Sequence, residues 1–158
     1  MKKTALLLVL LLLAAAVYGC GGKSETENAE VKWSITVEGV GDSPVSFTNV
    51  DAAKLEMKKV EATKKKKDGT EVTETWEGVA LKDVLKALGV TDFQSVIMEA
   101  ADGYAQEYSK EIVEREGTIL GLKVDGKELD EEKGPVQAVP EGEPGSMYIK
   151  NLAKIIVQ

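Results

Sequence analysis

Three Asp-Gly pairs, at residues 68–69, 102–103 and 125–126, divide the middle of this chain into short apolar runs. An Asp-Gly pair between alternating runs favours a tight turn, because glycine accepts positive φ and aspartate bonds the backbone just beyond it. Trp33, Ile35 and Val37 alternate with polar residues, and Gly39 to Pro44 ends that run. Further strands are expected over Leu55 to Ala62, Glu71 to Trp76, Ser95 to Ala100, a short piece carrying Tyr104 and Tyr108, Thr118 to Val124, Pro135 to Val139 and Lys154 to Val157. Leu81, Val84, Leu85 and Leu88 fall at i, i+3, i+4 and i+7 before Gly89, which predicts the one firm helix. Lys110 to Glu116 suits a short helix. Lys127 to Lys133 reads as a charged loop, and Pro140 to Ser146 is too rich in proline and glycine for regular structure. The expected class is α+β, mainly β in mixed sheets with one firm helix packed on them.

The first twenty residues follow a different rule. Lys2 and Lys3 precede an apolar run from Ala5 to Val17 and then small residues, the layout of a secretory signal. The run falls short of the roughly 20 apolar residues that span a bilayer. Val17-Tyr18-Gly19-Cys20 resembles a bacterial lipobox, in which the cysteine is diacylated and becomes the first mature residue. A free or disulfide cysteine in a secreted protein is the alternative. The expected organisation is a signal at 1–19, a lipidated tether at 20–30 and one domain at 31–158, held on the extracytoplasmic side of a membrane.

Composition then removes whole classes of chemistry. Cys20 is the only cysteine and there is no histidine, so Ser-His-Asp and Cys-His catalysis and imidazole-thiolate zinc sites are excluded. The net charge is −7, and loss of Lys2 and Lys3 leaves 18 basic against 27 acidic residues, or −9; nucleic acid is not an expected partner. Lys64 to Lys67 invite a role on anionic headgroups, but a solvated edge that blocks aggregation is the reading favoured here. The acidic groups Glu99, Asp102, Glu107 and Glu111, and the stretch Asp125 to Glu132, lack the spacing of a calcium loop. Asp102, Tyr104 and Tyr108 could form an acid-base pair, although turn chemistry and core packing explain the same residues.

The order of motifs resembles the oxidoreductase molybdopterin-binding domain of the sulfite oxidase type. The pieces are Gly78-Val79-Ala80-Leu81-Lys82-Asp83-Val84-Leu85, Ala101-Asp102-Gly103-Tyr104, Gly134-Pro135-Val136, Val139-Pro140 and Gly145 through Lys150 with an apolar strand after it. The resemblance implies a sulfite-oxidase-type fold, molybdopterin as a possible cofactor, an anionic pterin or other small ligand and a redox partner protein. It also implies a cysteine ligand to molybdenum on an early strand, near where Lys59 stands, and basic residues where Gln137 and Met147 stand. Lysine offers a hard, protonated amine in place of a soft thiolate. The positions that the resemblance marks for ligand binding are Lys59, Tyr104, Gln137, Gly145, Ser146 and Lys150. It marks no catalytic residue and no metal ligand.

Overall fold

The computed structural model describes residues 30–158 apart from Lys67. The expectations for the signal, the lipobox and Cys20 lie outside the described residues. Among the described residues ten strands form two sheets. The first sheet runs in the order β2 (Val45–Thr48), β1 (Ser34–Glu38), β10 (Leu152–Val157), β5 (Ser95–Ala100), β6 (Ala105–Ser109). It is mixed, because β1 and β10 are parallel with Thr36 opposite Lys154, while its other pairs are antiparallel. The second sheet is antiparallel, in the order β3 (Met57–Lys65), β4 (Glu71–Ala80), β7 (Thr118–Val124), β8 (Lys127–Glu128), with β9 (Gln137–Pro140) also pairing with β7.

Among the described residues three short α-helices accompany the sheets: α1 (Asn49–Ala52), α2 (Leu81–Ala87) and α3 (Lys110–Glu114). The firm helix is α2, whose Leu81, Val84 and Leu85 are buried and whose end is marked by Gly89 at φ 83°. Helix α1 was not expected. Its signal is Thr48-Asn49-Val50-Asp51, a capping box in which the Thr48 hydroxyl accepts from Asp51 N and the Asp51 carboxylate accepts from Thr48 N. Strand β2 was also missed, since Val45 and Ser46 are exposed and only Phe47 enters the core. The charged loop after Asp125-Gly126 contains the two-residue strand β8, and β10 begins at Leu152 rather than Lys154. Among the described residues no helix is long and apolar enough to cross a membrane.

The larger core lies between the first sheet, the second sheet and the helices, and includes Ile35, Val37, Phe47, Val79, Leu85, Met98, Tyr108, Leu120 and Ile155. A smaller cluster joins Ala62, Trp76, Ile119, Val139 and Tyr148. Trp76 fits there because Gly121 on β7 has no side chain: a Cβ at that position would lie 2.6 Å from Trp76 Cε3. Tyr148 of this smaller cluster also lines the candidate site.

Candidate ligand-binding site

After β9 the chain leaves the second sheet, makes a single 3₁₀ turn at Gly145–Met147 and returns to β10. Two backbone bonds between Ala138 and Ile149, 2.9 and 3.1 Å, close this loop at its base. Its tip is fastened by one face of β6 and the residue before it, where Tyr104, Gln106 and Tyr108 recur at the two-residue period of a strand. The Tyr104 hydroxyl donates to Ser146 O at 2.8 Å and accepts from Gln106 Nε2 at 3.0 Å, while the buried Tyr108 hydroxyl donates to Met147 O. Asp102 turns the chain into this strand by accepting from Tyr104 N at 2.9 Å. The tyrosines therefore position a loop, and Asp102 caps a turn, which is the structural reading of the three residues.

Across from the loop stands the β3–β4 hairpin. Its lysine-bearing end approaches so closely that a Cβ on Gly145 would sit 3.4 Å from Lys65 O. Between the two lies an open cleft of ≈ 730 Å³. Lys64, Lys65, Lys66 and Lys150 line it, together with Tyr104, Gln137, Gly145, Ser146 and Tyr148. Among the described residues, four lysines and no carboxylate line this cleft, in a chain whose net charge is −7. A shallower depression of ≈ 260 Å³ continues past Tyr104 to Asp102.

Five of the six positions marked from the sequence meet here: Tyr104, Gln137, Gly145, Ser146 and Lys150. Lys59 does not. It is exposed on β3 opposite Glu77, and is no part of the cleft lining. The reason is distance. Lys59 lies five residues before Lys64, roughly 16 Å along the strand, which is too far to reach the cleft. The lysine run, read from the sequence as a solvated edge in preference to an anion-binding patch, also lines the cleft. Strand β3 is the edge strand, as expected, but the strand continues through Lys65, so the lysines form one wall of the cleft as well as a solvated edge. Lys64 is half-buried, bonded to Glu74 at 2.7 Å, with its Nζ 5.8 Å from the centre of the Tyr148 ring.

The polar groups at the back of the cleft are unsatisfied. Among the described residues, Gln137, 1 % exposed, has no hydrogen-bond partner for its Oε1, and Tyr148, 6 % exposed, has none for its hydroxyl. Burial away from water pushes the Tyr148 phenol up to about 12, and the carboxylates of Glu141, Glu74 and Glu143 add to the effect. At neutral pH it is a neutral hydroxyl, able both to donate and to accept. Burial also raises the Tyr108 phenol. At the rim, Lys150 pairs with Glu132 and its ammonium holds that carboxyl below the usual range. A separate hollow of ≈ 600 Å³, bounded by Trp33, Leu129, Pro135 and Asn151, is lined by charges of both signs and by none of the orphaned atoms found among the described residues.

A family profile described as oxidoreductase molybdopterin binding domain matches residues 22–158. The chain belongs to that family. Its fold is similar to the sulfane dehydrogenase SoxCD from Paracoccus pantotrophus, with a TM-score of 0.70 at 19 % identity over 79 % of this chain. The likeness spans 38 % of the SoxCD chain, so this chain corresponds to well under half of that protein. No protein of curated function matches.

Whether a molybdopterin centre fits can be judged from the donors. Residues 30–158 contain no cysteine and no histidine, so the folded domain has no thiolate or imidazole to offer molybdenum. Among the described residues no group of three or more acidic, cysteine or histidine side chains is placed to hold a metal. The cleft offers ammonium groups, an amide, a phenol and backbone. Those donors do not fit a molybdenum centre ligated by protein sulfur, and they do fit an organic anion.

Proposed function

We propose that this protein is a lipid-anchored extracytoplasmic module whose molybdopterin-binding-type domain holds a pterin or another small anionic ligand, without turnover at a thiolate-ligated molybdenum. The single observation that carries the reading is the cleft, where a wall of one charge sign faces two buried polar atoms that lack partners. A buried orphaned acceptor costs free energy in the empty protein, and a ligand that supplies the missing donor removes that cost. The lysines attract and hold the anionic part. The amide and phenol orient the remainder, and the Gly145–Met147 turn, fastened by the Tyr104 and Tyr108 hydroxyls, keeps the far wall in place.

Cys20 supplies the anchor in this reading, with two acyl chains giving stable attachment where one would be marginal. Its use as an anchor also removes the last thiolate available to a metal. A second reading, an oxidoreductase subunit working with a redox partner, is supported by the family membership.

Metal and pterin analysis of the protein purified from its own host decides between the two. The expected result is sub-stoichiometric molybdenum. One molybdenum per chain would overturn the proposal in favour of the oxidoreductase. The anchor is tested by mass spectrometry of the mature N-terminus, where a diacylglyceryl adduct on Cys20 is expected and an unmodified cysteine would refute it.

A further inference from the structure

We infer that the hollow between α2 and α3 is a second ligand site, one that takes a free α-amino acid with an apolar side chain. The hollow shares no lining residue with the lysine cleft.

Its floor is a product of how α2 ends. Gly89 at φ 83° stops the helix, and Val90 N returns to Leu85 O at 3.0 Å, a bond that in such a stop accompanies apolar contact between the same two residues. Phe93 follows on the same loop, with Lys110 Nζ 5.3 Å from its ring centre. Backbone bonds fix the end of the loop: Gln94 N donates to Gln158 O at 2.7 Å, and Lys110 N donates to Gln94 O at 3.1 Å. Leu85, Val90 and Phe93 thus present a preset apolar floor to an open hollow of ≈ 470 Å³, a volume ordinary for a small-molecule site.

The walls carry opposite charges that do not neutralise each other. Lys82 and Lys86 stand one turn apart on α2, and Glu114 stands on α3. The neighbouring charges are engaged: Lys82 with Glu116, Lys110 with Asp92 at 3.3 Å, and Glu111 with Arg115 at 3.8 Å. Asp83, the remaining charge on α2, is not part of the lining. Among the described residues Lys86 and Glu114 form no salt bridge, with each other or with a neighbour, although both line the same hollow.

An ammonium on one wall, a carboxylate on the other and an apolar floor between them set three requirements. A fatty acid meets the ammonium and the floor but brings no cation to Glu114. An alkyl amine meets the carboxylate and the floor but leaves Lys86 unpaired. An α-amino acid with an apolar side chain supplies a carboxylate for Lys86, an ammonium for Glu114 and a hydrocarbon for the floor in one small molecule.

The test uses the full chain in nanodiscs of phosphatidylcholine, titrated with leucine while NMR follows the methyl resonances of Leu85 and Val90 and the ring of Phe93. Saturable shifts are expected with a Kd on the order of 1 mM, since both wall charges are exposed and each contributes little. N-acetylleucine, which lacks the ammonium, and leucinamide, which lacks the carboxylate, should each bind roughly fivefold more weakly. Glycine keeps both charges but has no side chain, and should bind at least about tenfold more weakly. Lys86→Gln should narrow the gap between leucine and leucinamide, and Glu114→Gln the gap between leucine and N-acetylleucine. Both side chains are exposed, so the fold is expected to survive. The inference is overturned if leucine gives no saturable shift, if glycine, N-acetylleucine or leucinamide binds as tightly as leucine, or if the two variants leave the gaps unchanged. Equal binding of N-acetylleucinamide would also overturn it, and would assign the hollow to a side chain of a protein partner. Neither molybdenum nor any residue of the lysine cleft enters this measurement, so its failure is distinct from failure of the proposed function.

Discussion

Replacing Gln137 by methionine is expected to stabilise the ligand-free protein. Gln137 lies in β9 and pairs through its backbone with Gly121 on β7, contacts that a side-chain change leaves in place. The side chain is 1 % exposed and its Oε1 has no partner. Leaving a buried acceptor unsatisfied costs about 1–3 kcal/mol, and methionine is close to glutamine in length and flexibility. A volume-conserving swap carries a packing cost below about 1.5 kcal/mol. The net expectation is a gain of about 1–2 kcal/mol, which for a domain of this size is a rise in Tm of about 4 °C per kcal/mol.

The assay is urea unfolding of the ligand-free protein followed by far-UV circular dichroism, with thermal scans alongside. The midpoint should rise at an unchanged m-value, which separates a change in native stability from a change in the denatured ensemble. Tyr148→Phe removes the second orphan and should shift the midpoint in the same direction by a smaller amount, since the ring and its packing remain. The reasoning is refuted if Gln137→Met lowers stability by more than about 1 kcal/mol, because that loss would mean the amide makes a bond worth keeping. With a saturating ligand bound the order should reverse, since only the wild-type side chain satisfies the ligand and binding adds to native stability.

The other tests use neighbouring groups. Tyr108→Phe should act oppositely to Tyr148→Phe: it deletes a donor to Met147 O and should cost about 1 kcal/mol, with faster hydrogen exchange in the Gly145–Met147 turn, while equal exchange would refute its fastening role. Gly121→Ala places a Cβ 2.6 Å from Trp76 Cε3 and should cost about 1–3 kcal/mol with an altered near-UV tryptophan spectrum; a neutral change would show that Trp76 has room to move. Tyr148 titrates at about 12 in the folded protein against 10.0 for an ordinary phenol. Its contribution to stability is therefore complete below pH 10 and falls as pH rises through about 12, because only the unfolded chain has lost the proton in that window. Tyr148→Phe should flatten the stability profile there relative to wild type, and parallel profiles would refute the assignment.

Strands β5 and β7 and helix α2 were legible because their apolar periods are uninterrupted and their ends carry glycine or Asp-Gly turns. Strand β2 was not, because one buried residue in four leaves no period to detect. The site was half legible. The Gly145-to-Lys150 loop, Gln137 and Tyr104 could be found from the order of motifs, whereas the opposite wall could not, because the Asp68-Gly69 turn puts the lysines at a hairpin end without saying which loop that end faces. Lys59 was misplaced for a related reason. Position along a strand is readable from sequence, but the distance to a loop some eighty residues later depends on how the folded sheets bring the two together.

Where local rules fail in a well-packed domain, the failures tend to mark a functional or strained site. Here they fall together. A cluster of like charge is unfavourable on its own and unusual in an acidic chain, an orphaned amide is unfavourable in any interior, and a lysine-rich edge alone would need no cleft behind it. Of the three orphaned side-chain atoms found among the described residues, two line the lysine cleft, and the third, Trp76 Nε1, belongs to the small cluster that includes Tyr148. A purely structural origin for the lysines would leave the orphans unexplained, and a packing defect would leave the lysines unexplained. A ligand with a donor on one end and negative charge on the other accounts for both at once, and it requires no sulfur from the protein.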